Sequence, residues 1–351
     1  MNLKELSHIL GLSQTTVSRA LNGYPEVNEA TRLRVEAAAR RHNYRPNTLA
    51  KALATGQAMA IGHVIPLATR HEMVNPVFAD FIAGAAATYA KHGYEMMISV
   101  IENGDEQQVY RNLKSRGSVD GVILHSPRMN DPRIDLLDEI GLPFAVHGRA
   151  TAHPNTYCWL DINNRAAFRR ATDLLLDLGH RRIALVNGLE FMDFAHRRRH
   201  GYLEALEARG VPHDPALMHS DEMTEDYGYR TARQMMRLAD PPTAYLVSSM
   251  ICALGVRRAV EEAGHVMGRD ISIVTHDDEL SYLQNGGEEP IFTATRSSVR
   301  EAGRRLAEML IARIHEPEAP PKQELLEADL RHGRSTGPAP TAAAACPRSQ
   351  D

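Results

Sequence analysis

The sequence predicts an all-α head followed by a larger α/β core built on parallel sheets. Apolar residues at helical spacing, broken by a glycine, fill the first segment. After residue 58, short apolar runs alternate with amphipathic stretches, which is typical of parallel sheets with helices on both faces. The 351 residues suffice for two or three domains. We divide them into a head at 1–46, a linker at 47–57, a core at 58–332 and a tail at 333–351.

The head begins with two short helices across a tight turn. Gly11 suits a left-handed turn conformation, and Ser13 suits the N-cap of the second helix, predicted over 14–22. The apolar stripes are Leu3, Leu6, Ile9 and Leu10 in the first helix and Val17, Ala20 and Leu21 in the second. This arrangement predicts a helix-turn-helix whose second helix enters the major groove of DNA.

A third helix and the charge distribution support this prediction. The third helix begins after Asn28 as N-cap and runs to about His42. Residues 1–57 hold eight lysines and arginines and four glutamates, a net charge of +4, whereas the remainder carries −8. A basic head on an acidic body is expected when only the head touches phosphates. The charge asymmetry therefore disfavours the alternative, a three-helix bundle whose polar face is merely solvated.

Four segments of the head and linker resemble the lactose-repressor/galactose-repressor (LacI/GalR) family of bacterial transcription factors. They are Leu12–Asn22, Val27–Arg32, Asn43–Asn47 and Ala50–Leu53, and the resemblance extends from Leu3 to about Gly333. It implies that the positions of Gln14 and Thr15 choose operator bases and that Arg19 contacts a base or the backbone. The resemblance and the polar face together give these expected DNA contacts: Ser13, Gln14, Thr15, Thr16, Ser18, Arg19, Asn22, Asn28, Tyr44, Asn47, Ala50 and Leu53.

Residues 47–56 resemble the hinge helix of that family. About eight helical residues are fewer than the ~12–15 that an isolated helix needs to persist in water. We therefore expect this segment to become helical only beside DNA and a partner hinge. Leu53 matches a leucine that wedges between bases in the minor groove and bends the duplex. The alternative is a plain linker with an incidental leucine.

The core contains more predicted strands than one sheet comfortably holds. Strands are predicted at Ala60–Ile65, Glu95–Ile101, Gly121–Leu124, Pro143–Val146, Cys158–Leu160, Arg182–Asn187, Thr243–Val247 and Ile271–Thr275. Helices are predicted near Pro76–His92, Glu106–Arg116, Asn164–Leu178, His196–Arg209, Tyr227–Leu238 and Ile251–Ala263. We expect two lobes with a cleft between them, and the resemblance implies a core like the periplasmic sugar-binding proteins. A helix at Ser298–Ile314 should return to the first lobe, and a last strand at Leu325–Arg331 should end the second.

Polar residues at strand ends predict a ligand site in that cleft, because ligands of open α/β sheets bind at the carboxyl ends of strands. The resemblance implies that Arg198 clamps the ligand, that Asp277 binds it and that Phe78 stacks on it. A guanidinium fork facing a carboxylate suits sugar hydroxyls, which both donate and accept. The expected ligand contacts are Asn75, Phe78, Asn163, Arg198, Met223, Ser249 and Asp277.

Two departures from the family pattern change the expected cleft. Ser249-Met250 stands where Asn-Asp is usual, and Asn163-Asn164 stands where Asp-Asn is usual. The first change weakens one ligand contact that the resemblance implies, and the second removes another possible charge. We therefore expect a less anionic cleft than is typical.

Other classes of protein fit the sequence less well. It lacks the GxSxG, P-loop, HExxH and GxGxxG motifs, and its 17 histidines have no metal-ligand spacing, so we expect no enzyme, cofactor or metal. No apolar run approaches ~20 residues, and the chain opens directly on the helix-turn-helix, so neither a membrane span nor a signal peptide is expected. Cys158, Cys252 and Cys346 form no disulfide framework, which suits the cytoplasm.

These observations predict a cytoplasmic, bacterial, ligand-gated transcription regulator, a repressor of carbohydrate-use genes that is nucleoid-associated when bound to its operator. A homodimer pairing through helices such as Pro76–His92 would place two heads on a near-palindromic operator. The last residues lack the heptads of a tetramerising tail. The composition of 333–351 predicts disorder. Two alternatives stay open: a nucleobase or other non-sugar co-repressor in the cleft, and a ligand-free architectural DNA-binding protein. A pure sugar-binding protein would lack the DNA head.

Overall fold

The computed structural model describes residues 1–21, 23–44, 57–66, 75–101, 105–153 and 156–340. The head consists of three helices, α1 (Leu3–Leu10), α2 (Gln14–Leu21) and α3 (Glu29–Arg41). Leu6, Val17 and Val35 are fully buried where the three helices meet. The predicted helix-turn-helix is confirmed. Ile9 is 52% exposed, however, because it lies off the stripe that Leu6 and Leu10 bury.

The first lobe is built on a six-stranded parallel sheet. Its strands in spatial order are β11 (Gln323–Leu326), β5 (Cys158–Ile162), β4 (Phe144–His147), β3 (Gly121–His125), β1 (Ala60–Pro66) and β2 (Glu95–Ile101). Apolar cores lie on both faces of this sheet. Continuous burial along β3 accounts for its apolar run in the sequence.

The second lobe repeats this architecture. Its sheet has the order β12 (Asp329–Arg331), β10 (Thr293–Arg296), β9 (Ser272–Asp277), β8 (Ala244–Val247), β6 (Ile183–Asn187) and β7 (Met218–Ser220). All neighbours are parallel except β12, which runs antiparallel to β10. The predicted α/β class with two parallel-dominated lobes is confirmed.

Helices cover both sheets. They are α4 (Pro76–His92), α5 (Glu106–Ser115), α6 (Pro132–Glu139), α7 (Asn164–Asp177), α8 (Asp193–Ala208), α9 (Glu225–Met235), α10 (Met250–Glu262) and α11 (Val299–His315). Helix α11 packs on α4 in the first lobe, as predicted, and a Cβ at Gly84 would collide with the Arg300 carbonyl. Close backbone contact therefore requires glycine there. Within the described ranges, no helix is both long enough and apolar enough to cross a membrane.

The chain crosses between the lobes three times. It leaves the first lobe between β5 and α7, returns between β10 and α11, and leaves again between β11 and β12. The backbone N–H of Asn163 donates to the Leu326 carbonyl at 2.8 Å, which joins the first and third crossings. The prediction of a single strand over Leu325–Arg331 is therefore wrong. The segment contains the end of β11, then a crossing between the lobes, and then β12.

The tail prediction is also wrong for the residues that the structure describes. Residues 333–340 pack on the second lobe, where Ser335 is fully buried. The N–H of Ile273 donates to the Ser335 carbonyl, and the N–H of Thr293 donates to Ser335 Oγ, both at 2.8 Å. These bonds order a segment whose composition lacks large apolar residues. Residues 341–351 lie outside the described ranges.

Candidate nucleic-acid interface and interlobe cleft

The second helix of the head presents one polar face to solvent. Ser13 Oγ accepts a 3.0 Å hydrogen bond from the N–H of Thr16, so Ser13 caps α2 as predicted. Gly11 has a φ of 64°, the left-handed turn that the sequence predicted. Gln14, Thr15 and Arg19 are exposed, whereas Val17 on the opposite face is fully buried. The side chains predicted to read bases therefore remain available to a DNA groove.

The third helix fixes the orientation of the turn. Asn28 Oδ1 accepts a 2.8 Å hydrogen bond from the N–H of Thr31 and caps α3. Arg34 donates at 2.8 Å from Nη2 to the Leu10 carbonyl at the end of α1. Tyr44 packs against the head core and is half-buried, and burial raises the pKa of its hydroxyl. These contacts join α3 to the end of α1 and to the head core on which α2 packs.

Part of the predicted DNA interface is not described by the structure. Ser18 is half-buried on α2 and Thr16 is partly covered. Asn22, Asn47, Ala50 and Leu53 lie outside the described residues, as does the whole predicted hinge at 47–56.

A cavity of about 160 Å³ lies between the lobes, at the carboxyl ends of strands from both sheets. Its charged lining consists of Arg149 and Asp161 from the first lobe and Arg198 and Asp278 from the second. The rest of the lining consists of serines, the two asparagines Asn75 and Asn164, two histidines and several apolar side chains. The cavity therefore offers both donors and acceptors beside apolar surface.

Arg198 is the most constrained charged side chain of the cleft. It is 6% exposed, donates from Nε to Asn164 Oδ1 at 2.7 Å and from Nη1 to the Ser248 carbonyl at 2.6 Å. Its guanidinium carbon lies 5.0 Å from the ring centroids of both Phe168 and Phe194. Burial lowers the pKa of Arg198 to about 10, although Asp278 and Asp161 favour its charged form. The side chain is thus a positioned cation at neutral pH.

Asp278 provides the opposite charge on the same wall. Burial opposes ionisation of Asp278, but His276 and Arg198 outweigh burial and hold the pKa of this carboxyl below its usual value. His276 Nε2 lies 3.5 Å from Asp278 Oδ1, and His276 Nδ1 lies 2.9 Å from Thr295 Oγ1. The carboxylate therefore faces the cleft in its ionised form.

The first lobe contributes a second ion pair that the sequence prediction missed. Arg149 Nε donates to Asp161 Oδ2 at 2.9 Å, and the two side chains are 20% and 5% exposed. Burial raises the pKa of Asp161 to about 6, although Arg149 and Arg197 favour the charged form. The signal available in the sequence was an aspartate directly after the buried apolar run of β5, where an acidic residue is rare unless paired.

Three histidines occupy neighbouring strands beneath this wall. His63 Nδ1 lies 2.9 Å from His125 Nε2, and His63 Nε2 lies 3.0 Å from the Tyr89 hydroxyl. Burial lowers the pKa of His63 to about 3 and that of His147, which lines the cleft, to about 4. These rings therefore act as neutral hydrogen-bonding groups at pH 7 rather than as charges.

The structure brings some of the predicted ligand contacts together. Asn75, Arg198 and Met223 line the cavity. Asn75 Oδ1 also accepts a 3.0 Å bond from the N–H of Val77 and caps α4. Phe78 is not among the lining residues, because its ring packs edge-on against His125 at a centroid distance of 5.2 Å.

Three other predicted contacts are displaced by one residue. Asn163, Ser249 and Asp277 each accept a hydrogen bond from a backbone N–H two or three residues later and so cap a helix or turn. Their neighbours line the cavity instead: Asn164, Ser248 and Asp278. Asp161 and Asp278 line the cavity together with Arg149 and Arg198, and the expectation of a cleft less anionic than is typical of the family stays a prediction.

Hydrogen bonds across the mouth of the cleft join the lobes. The Asp193 N–H donates to the Pro127 carbonyl at 2.9 Å, and the Thr151 N–H donates to Asp193 Oδ1 at 2.9 Å. The Thr151 hydroxyl also donates to Asp193, whose other carboxylate oxygen pairs with Arg197. We call the contacts of Pro127, Thr151 and Asp193 the interlobe latch.

Comparisons with known proteins match both parts of the chain. The family model described as "Bacterial regulatory proteins, lacI family" matches residues 2–47, and that described as "Periplasmic binding protein-like domain" matches residues 172–336. The HTH-type transcriptional regulator AglR of Rhizobium meliloti (strain 1021) is 46% identical over 340 residues, which cover 97% of this chain and 95% of AglR.

Solved structures show the same fold. The transcriptional regulator CelR–cellobiose complex has 28% sequence identity and a TM-score of 0.71, covering 95% of this chain and 99% of CelR. The lac repressor dimer bound to operator and the anti-inducer ONPF has 24% identity and a TM-score of 0.82, covering 96% of this chain and 99% of that chain, a likeness of fold.

Motif, fold and relatives agree on one class. The head is a helix-turn-helix with an exposed polar face, and the core is two-lobed with a polar cleft. The relatives are transcriptional regulators, which are not enzymes. The chain is accordingly a ligand-responsive DNA-binding transcription regulator, and it belongs to the LacI family of bacterial regulatory proteins.

Proposed function

We propose that the protein is a cytoplasmic repressor of carbohydrate-use genes, gated by a sugar that binds in the interlobe cleft. The observation that carries this proposal is the placement of Arg198 beside Asp278 in the cavity between the lobes. A hydroxyl can accept from the guanidinium and donate to the carboxylate at once, which a sugar does at several positions. CelR, a relative at 28% identity, was solved in complex with cellobiose.

The apolar part of the lining supports a sugar as well. Val77, Phe194 and Met223 line the cavity beside its polar groups. A sugar ring has polar edges and apolar C–H faces, so it matches a cleft of mixed character. Because the ligand would touch both lobes, its binding would favour one relative arrangement of the lobes over others.

For the DNA end, we propose that α2 enters the major groove. Gln14 and Thr15 would choose the operator bases and Arg19 would bind a base or phosphate. A single head covers one half-site, so a homodimer on a near-palindromic operator is proposed. Ile98 and Val100 on the edge strand β2 are 40% and 48% exposed. Such apolar exposure at a sheet edge is favourable when a second copy covers it.

The link between cleft and head is proposed to be the segment 47–56. Its sequence predicts a helix too short to persist alone, with Leu53 as the side chain that inserts into the minor groove. A change in lobe arrangement would move the two hinges of a dimer relative to each other. Their minor-groove contacts would then form or break with ligand, which is an order–disorder switch.

The test measures coupling between the two proposed sites. Operator DNA is first selected from random duplexes with the full chain, and ligands are found by a thermal-shift screen of sugars and nucleobases. Operator affinity is then measured with and without the hit, and ligand affinity with and without operator. We expect a sugar hit and a near-palindromic operator, with the two affinities changed by the same factor, because coupling between binding sites is reciprocal.

The outcomes separate the alternatives. Arg198→Ala should retain operator binding and lose the response to the sugar. A nucleobase hit without any sugar hit would favour a non-sugar co-repressor. A sugar that binds without changing operator affinity would contradict gating, and no hit from either class would favour a ligand-free DNA-binding protein.

A further inference from the structure

We propose that the Arg149–Asp161 pair sets the charge selectivity of the interlobe cleft, so that uncharged sugars enter and phosphorylated or uronic sugars are excluded. The inference rests on the proposed function, since it concerns the sugar in the same cleft. It assigns a specificity role to two residues on the first-lobe wall, neither of which the sequence predicted as a ligand contact.

The pair is held rigidly at the cavity. Asp161 is the fourth residue of β5, and Arg149 follows β4, the neighbouring strand in the sheet. Arg149 uses Nε for its 2.9 Å bond to Asp161 and stacks its guanidinium over the Trp159 ring at 5.1 Å. Within the described part of the chain, its two Nη groups have no hydrogen-bond partner. The fork of Arg149 therefore keeps donors for a ligand that enters the cavity it lines.

The charges of the arginines and aspartates in the cavity balance. Apart from the histidines, the charged groups among the described lining residues are Arg149, Arg198, Asp161 and Asp278, with one arginine and one aspartate on either wall. His147, also in the lining, has its pKa lowered to about 4 by burial and is neutral. A neutral polyhydroxylated ligand finds donors and acceptors on both walls without adding net charge.

An anionic sugar meets a different environment. Wherever its phosphate or carboxylate lies in so small a cavity, it approaches at least one of two carboxylates that face inward. Like charges are strongly unfavourable in a site shielded from water, and each arginine is already partly neutralised by its own aspartate. Removal of the Asp161 carboxylate should therefore change the charge selectivity of the cleft most directly, because Arg149 would be left as an unpaired cation beside the ligand.

The experiment compares the full chain with Asp161→Asn at about pH 8, where histidine side chains are generally neutral and Asp161, with its pKa of about 6, is ionised. The neutral probes are cellobiose, maltose, lactose, sucrose, raffinose, glucose and ribose; the anionic probes are glucose 6-phosphate and glucuronate. Binding is measured by thermal shift and then by calorimetry. Asp226→Asn makes the same chemical change at an exposed aspartate of α9 and should behave as wild type.

We expect wild type to bind at least one neutral probe and to bind both anions far more weakly. Asp161→Asn should lose about 10–100-fold in affinity for the neutral probe, the scale of a hydrogen bond to a charged group, and should gain measurable binding of an anionic probe. If Asp161→Asn prefers neutral over anionic sugars as strongly as wild type does, the inference is overturned and the proposed function is unaffected. Failure of wild type to bind any sugar would overturn both.

A second variant keeps the test decisive if Asp161→Asn does not fold, which its thermal transition reports. Arg149→Gln removes the cation instead of the anion and leaves the cleft with an excess negative charge. It should lower affinity for the neutral probe and bind the anions no better than wild type does. A gain of anion binding in Arg149→Gln, or wild-type affinity for the neutral probe, would overturn the inference.

Discussion

The backbone N–H of Thr151 in the first lobe donates a 2.9 Å hydrogen bond to Oδ1 of Asp193 in the second. Asp193 is the first residue of α8, the helix that also carries Arg198. The contact that joins the lobes and the cation that lines the cleft therefore belong to one rigid element. A ligand held by Arg198 acts on the same helix that the interlobe latch positions.

The latch gives the first prediction. Asp193→Ala removes the acceptor for Thr151 and should weaken binding of the sugar effector by about tenfold, because closure is no longer supported without ligand. Calorimetry measures this change. Asp226→Ala is the matched control, since Asp226 also lies in the first turn of its helix and pairs with an arginine four residues on, but at the surface. Equal affinities in both variants would show that the latch has no part in effector binding.

The second prediction separates two neighbouring aspartates. Asp278→Asn should lower effector affinity at least about tenfold, because its ionised carboxylate lines the cleft on the same wall as Arg198. Asp277→Asn should leave effector affinity near that of wild type, because that carboxylate accepts a bond from the Glu279 N–H and does not line the cleft. Calorimetry with both variants is the measurement. A larger loss of affinity in Asp277→Asn than in Asp278→Asn would identify Asp277 as the ligand contact, as the sequence predicted.

This displacement shows what the sequence can and cannot predict. Apolar runs and caps predict most strands and helices, because burial on both faces of a parallel sheet leaves a continuous apolar signature. Strand β10 was missed, since its buried Thr293 and Thr295 give no such run. Helix α6 was missed as well, although Asp131 caps it. The sequence could not tell which of two adjacent aspartates faces the cleft, because that depends on where the strand ends.

Other parts of the site depended on contacts between distant residues. The family motif predicted Arg198 as a site residue. Asp161 can be recognised as one only in the structure, where Arg149, which follows β4, donates a hydrogen bond to it. Ser335 was predicted to be disordered because local composition carries no information about its bonds to Ile273 and Thr293. Motifs and periodicity therefore predict elements, and pairing across the chain decides which polar groups share a cavity.

The third prediction concerns base reading by the head. Arg19→Ala should weaken specific operator binding by about 1–3 kcal/mol and leave the fold intact, because Arg19 is exposed on α2. Substitutions of Gln14 or Thr15 should instead change which operator is preferred. Mobility-shift titrations at one salt concentration measure both effects. Unchanged affinity in Arg19→Ala would remove this face of α2 from the DNA interface.

The fourth prediction is a dependence of stability on pH. Burial raises the pKa of Asp161 from its usual value to about 6, and repulsion by Asp193 adds to this effect, even though Arg149 and Arg197 favour the charged carboxylate. The neutral form is thus favoured in the folded state, and the stability that it contributes is present below about pH 4 and is lost as pH rises through about 6. Asp161→Asn keeps a neutral side chain at every pH.

In the absence of sugar, the free energy of unfolding of Asp161→Asn, relative to that of wild type, should therefore increase by about 1–3 kcal/mol as the pH rises from 4.5 to 7.5. Urea unfolding at several pH values measures the difference, with Asp226→Asn as the control whose difference from wild type stays small. A difference that is constant with pH, or that shrinks as pH rises, would contradict the raised pKa of Asp161.

We propose that the sugar in the cleft controls operator binding through the order of residues 47–56. Hydrogen exchange over this segment tests it most directly, in the free protein, with operator, and with operator plus effector. We predict protection with operator bound and none in the free protein, because so short a helix needs DNA and a partner hinge to form. Effector should change the operator-bound protection in the same direction as it changes operator affinity. Equal protection in the free protein, or operator-bound protection that is unaffected by an effector that alters affinity, would contradict the mechanism.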